Sequence, residues 1–111
     1  MNKLFINDFE YKLDYVKKIK NIYHFNIVDQ TNYIINFDIE KIYTCTIHYN
    51  GKIIDIGEKI KIRNRKNKPS MYFIGESINT SVCFKLVKTG SKEFLVPLFV
   101  SLDCNYYKTI E

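Results

Sequence analysis

Residues 42–56 constrain the fold of this chain more than any others. In Ile42–Tyr49 (IYTCTIHY) the side chains alternate, with Tyr43, Cys45, Ile47 and Tyr49 on one face and Thr44, Thr46 and His48 on the other. Asn50-Gly51 follows, and a second run, Lys52–Ile56, leads to Gly57. Asn-Gly between two alternating runs specifies a hairpin, because both turn residues must accept positive φ.

The same period recurs along the chain. Tyr23–Val28 alternates, and Tyr33–Ile39 reads as a strand after the turn-forming residues Asp29–Asn32. Lys59, Lys61, Arg63 and Arg65 share one face of a run whose Ile60 and Ile62 point the other way. A loop over Lys66–Ser70 is expected next, then a short strand, Met71–Ile74. Thr80–Val87 places Val82, Phe84 and Leu86 inward, and Lys88–Lys92 reads as a loop. Phe94–Leu102 is apolar on both faces, as a central strand would be. Its Pro97 cannot donate to a ladder, so the strand lies at an edge there or carries a bulge. The tail Asp103–Glu111 is expected to fray.

Residues 8–22 fit two periods. Phe9, Tyr11, Leu13 and Tyr15 alternate with Glu10, Lys12 and Asp14, as in a strand. At 100° per residue, however, Phe9, Leu13, Val16 and Tyr23 gather opposite Glu10, Asp14, Lys17 and Asn21, with Asn7 as a cap. The strand is the favoured reading and one N-terminal helix the alternative. Seven to nine short strands with turn signals every 8–12 residues predict a mainly β, single-domain antiparallel sandwich or small barrel over residues 1–111.

Composition agrees. Seventeen Ile, nine Tyr, eight Phe and six Val stand against six Leu and no Ala. β-branched and aromatic side chains suit a pleated, half-buried surface. AT-rich codons would raise Ile, Lys, Asn, Tyr and Phe together, so part of this bias is genomic. The net charge of +5 shares that ambiguity, although a basic balance still favours nucleic acid or an acidic surface as partner. MNKLFINDFEYK lacks a secretory core, and the longest apolar run is too short to span a bilayer, so a cytoplasmic protein with no membrane partner is expected.

Chemistry is mostly excluded. His24 and His48 alternate onto polar faces with no second acid or base beside them in sequence. Cys45 belongs to an apolar face, Cys83 is expected outward beside Lys85, and Cys104 sits in the tail; none forms a zinc-type spacing. The pairs Asp38/Glu40 and Asp55/Glu58 lack a third ligand, and the four glycines form no phosphate loop. No catalytic residue, metal or cofactor is expected, and the protein reads as a non-enzyme.

One feature rises above this background. KIKIRNRKNKPS, residues 59–70, carries six cations, including both arginines of a chain with fifteen lysines. Side chains two apart on a strand project about 6.8 Å apart, so Lys59, Lys61, Arg63 and Arg65 form a row that can track a phosphate backbone. Lys66 and Lys68 extend the row, and Tyr72 with Phe73 could stack bases. Edge lysines that deter aggregation are the plainer explanation. Three functions follow: a non-enzymatic binder of nucleic acid or nucleoprotein through Lys59–Lys68; an inhibitor, of the kind phages or mobile elements encode, that docks on a host defence complex; or a homo-oligomeric structural protein pairing as a homodimer through Phe94–Leu102.

Overall fold

The computed structural model describes residues 2–28, 34–35, 42–105 and 108–110, the side chains of 34–35, 65, 69 and 108–110 excepted. The described residues contain no helix and eleven strands: β1 (Asn2–Ile6), β2 (Phe9–Ile19), β3 (Ile22–Ile27), β4 (Ile34–Ile35), β5 (Cys45–Tyr49), β6 (Lys52–Gly57), β7 (Ile60–Arg65), β8 (Lys68–Ser77), β9 (Thr80–Thr89), β10 (Lys92–Asp103) and β11 (Lys108–Ile110). They form one antiparallel sheet in the order β11-β6-β5-β1-β2-β3-β10-β9-β8-β7, with β4 paired to β10.

The hairpin at Asn50-Gly51 forms as its chemistry requires, with φ of 51° and 77° at the two turn residues. Asn7 plays a related role between β1 and β2, at φ 51°. Its amide donates to the Thr44 carbonyl at 2.8 Å, and the Thr44 amide donates to its Oδ1 at 3.0 Å. This reciprocal pair pins the entry of β5 beside the first hairpin.

Residues 8–22 are strand and turn, not helix. Tyr11 and Leu13 are buried and pair across β1 with Leu4 and Asn2. The alternation fails at Tyr15-Val16 because β2 bulges there: Tyr15 faces Phe25, but Lys17 faces His24. That irregularity is what imitated a helical period. Of the expected strand Tyr33–Ile39, only Ile34–Ile35 falls among the described residues.

The loop expected over Lys88–Lys92 is a turn at Gly90-Ser91 between β9 and β10, and two further expectations change. The loop expected over Lys66–Ser70 shrinks to a turn at Lys66-Asn67, with Asn67 at φ 59°, and Lys68–Ser70 joins β8. The tail is not simply frayed, since Lys108–Ile110 pairs with Asp55–Ile53 of β6. Pro97 sits at a bulge between Pro97 and Phe99, which relieves the missing donor inside a central strand.

The sheet coils on itself until β6 reaches β8 and β9, and the chain crosses this seam at residues 57–59. The closure is tight: a Cβ on Gly57 would lie 2.7 Å from the Glu76 amide nitrogen. Gly75 N also donates to Lys59 O at 3.0 Å. One continuous sheet closing in this way is barrel-like. Leu4, Ile6, Tyr11, Phe25, Ile47, Ile54, Ile56, Ile74, Val82, Phe84, Val100 and Leu102 fill its interior.

Candidate nucleic-acid interface

The basic run becomes β7, the last strand of the sheet path, paired among the described strands with β8 alone. Ile60 packs against the core, which fixes the facing of the strand and turns Lys61 and Arg63 to the opposite side. Lys61, Arg63, Lys66 and Lys68 are all exposed. Ion pairs among the described residues are Lys3–Glu10 at 2.9 Å and Lys88–Glu93 at 3.6 Å, and neither involves this hairpin.

The expected row of four is not uniform. Lys59 precedes β7 and lines a small cleft together with Asp55, Glu58, Glu76, Thr44 and Gly57. These acids belong to the seam: Asp55 Oδ1 accepts from Gly57 N at 2.9 Å. Lys61 donates through Nζ to the Glu76 carbonyl, tying β7 to the end of β8. Beyond Arg63 the register shifts, from Arg63 opposite Met71 to Arg65 opposite Lys68. Ser70 Oγ donates to Asn64 Oδ1 at 2.6 Å across this irregularity. The cations left outermost are Arg63, Lys66 and Lys68, with Arg65 placed between them by its backbone.

Tyr72 and Phe73, expected to stack bases beside the row, take opposite faces of β8. Tyr72 faces Phe84 and packs against the core, while Phe73 is buried on the other face, opposite Cys83. Cys83 is accordingly buried, not exposed beside Lys85. Cys45 is buried as expected, and its burial, then the Asp55 charge, pushes its thiol pKa up, so it is held as an unreactive thiol. His48 meets Phe5 in a tilted ring contact, centroids 4.6 Å apart, and His24 sits opposite Ser101 in β10.

The segment Phe94–Leu102 lies inside the sheet, between β9 on one side and β3 with β4 on the other. Edge pairing of two copies there would require displacing one of those strands. Asp38 and Glu40 lie outside the described residues; among the described residues no three His, Cys, Asp or Glu side chains are grouped to hold a metal. No described helix is long and apolar enough to cross a membrane.

What the fold and this surface define is a class only: a small all-β domain with a cationic edge hairpin. No protein-family model, curated protein or solved structure matches the chain.

Proposed function

We propose that this is a non-enzymatic small basic protein that contacts nucleic acid, free or within a nucleoprotein, through the β7–β8 hairpin. The observation that carries the reading is the hairpin's charge: Arg63, Lys66 and Lys68 are exposed at the end of the sheet and unpaired with any described carboxylate. A tight two-residue turn holds them on a short, ordered arm, so little chain entropy opposes phosphate contacts. Arg63 adds a planar fork suited to bidentate phosphate binding.

The reading fixes a salt dependence. Four phosphates neutralised on a single strand give a slope of about −2.8 in log K against log salt, or about fifty-fold between 50 and 200 mM. Charge reversal is best made at Arg63 and Lys66, because Lys61 also holds the end of β8. Arg63→Glu with Lys66→Glu should flatten the slope by about 1.4 and leave the thermal transition in place. Binding that ignores salt, or whose affinity and salt slope the double reversal leaves unchanged, would refute the proposal.

A further inference from the structure

Three tyrosines spread over the sequence stand together at one end of the coil. Tyr15 of β2, Tyr23 of β3 and Tyr49 of β5 surround Phe25, with ring centroids 6.1 Å apart for Tyr15–Tyr23, 5.5 Å for Tyr23–Tyr49, 5.9 Å for Tyr15–Phe25 and 5.4 Å for Phe25–Tyr49. Phe25 is fully buried beneath them, Tyr23 and Tyr49 are half-buried, and Tyr15 is 50% exposed. Interplanar angles of 49° to 74° in these four pairs show rings meeting by tilted or edge contacts, not as parallel stacks.

Cations ring the cluster. Lys18 Nζ lies 5.4 Å from the Tyr23 centroid, and Lys52 stands opposite Tyr49 in the hairpin. Lys20 stands in the turn of the same β2–β3 hairpin, and Lys18, Lys20 and Lys52 are exposed with no ion pair to a described residue; Lys17, opposite His24, lies on the other face. Asp14 alternates away to the opposite face, across from Asn26.

A lid that only sealed the core would be served by buried Phe or Ile. Half-exposed phenol rings bordered by ammonium groups match a different requirement, π faces for bases with cations for the chain that links them. We propose that this tyrosine–lysine rim binds single-stranded nucleic acid, stacking bases on Tyr15, Tyr23 and Tyr49 while Lys18, Lys20 and Lys52 contact phosphates. Duplex cannot use the rim, because its base faces are already stacked. The inference shares a ligand class with the hairpin reading but rests on a different surface.

The test is anisotropy of fluorescein-labelled oligo(dT), with a DNA duplex and inorganic polyphosphate as competitors. Wild-type protein should prefer oligo(dT) to both, and Tyr15→Ala should weaken oligo(dT) binding about five-fold or more. The same variant should leave polyphosphate competition unchanged, which separates stacking from charge. Because the chain has nine Tyr and no Trp, quenching of intrinsic tyrosine fluorescence on oligo(dT) addition gives a second readout needing no variant. Equal binding by a folded Tyr15→Ala protein, or saturation with no quenching, overturns the rim. Arg63→Glu with Lys66→Glu, measured alongside, separates the two surfaces. Loss there with Tyr15→Ala silent leaves the hairpin alone, the reverse leaves the rim alone, and no binding removes both.

Discussion

Gly57→Ala tests whether the coil closes as described. The added Cβ would stand 2.7 Å from Glu76 N and 2.9 Å from the Gly75 carbonyl carbon. Both are backbone atoms, so no side-chain rotation relieves the overlap, and one strand of the seam must move. Gly57 also has φ +102°, where an L side chain costs about 1–2 kcal/mol. Forcing extra volume into a packed site adds about 1–3 kcal/mol. The sum, roughly 2–5 kcal/mol, is a large part of an ordinary domain's total of about 5–15 kcal/mol. With about 2.1 cal/mol/K of unfolding entropy per residue over 111 residues, Tm should fall by about 10–20 °C. Gly90→Ala is the control: φ is +62°, but nothing lies within 4 Å of the new Cβ, so only the conformational cost of about 1–2 kcal/mol remains. Thermal unfolding followed by circular dichroism compares the two. Equal shifts would mean that β6 does not approach β8 closely, and the barrel-like closure would be wrong.

Two other outcomes follow from burial. Cys45 and Cys83 are fully buried and Cys104 is partly exposed, so a disulfide reagent at about pH 8 should modify one thiol quickly in the native protein and three in urea; two fast thiols would contradict the packing of β5 or β9. Burial, with a smaller contribution from Cys45, pushes the Tyr11 hydroxyl up to about 12 from its ordinary 10. A raised folded-state value favours the neutral phenol, so its contribution is full below pH 10 and is lost as pH rises from 10 to about 12. Urea midpoints at about pH 9 and about pH 11 should fall more for the wild type than for Tyr11→Phe, and parallel losses would refute the assignment.

How much of this was legible in the sequence depended on how far apart the partners lie. The β5–β6 hairpin was readable because Asn50-Gly51 and the alternation beside it are local, and the turn alone sets the register. The bulge at Pro97 was readable too, since a missing donor must be accommodated wherever the strand sits. Asn67 misled because Pro69-Ser70 beyond it looked like loop, although the register shift between Arg63 and Arg65 lets Lys68 pair and the strand begin there. β11 was invisible, being short and paired with a strand remote in the chain, and β1, also short, has β5 as its second neighbour. The two candidate surfaces divide along the same line. Lys61 and Arg63 are neighbours on one strand, so period-2 alternation was enough to place them together. Period 2 also puts Tyr15, Tyr23 and Tyr49 on the inner faces of their strands, but it cannot say that β5 reaches β3 across a coiled sheet. A Tyr49 ring 5.5 Å from that of Tyr23 is a property of sheet closure, not of either strand. Tyr72 likewise depends on pairing: the β7–β8 register sets it opposite Ile62, on the face of Ile60 and away from Lys61 and Arg63.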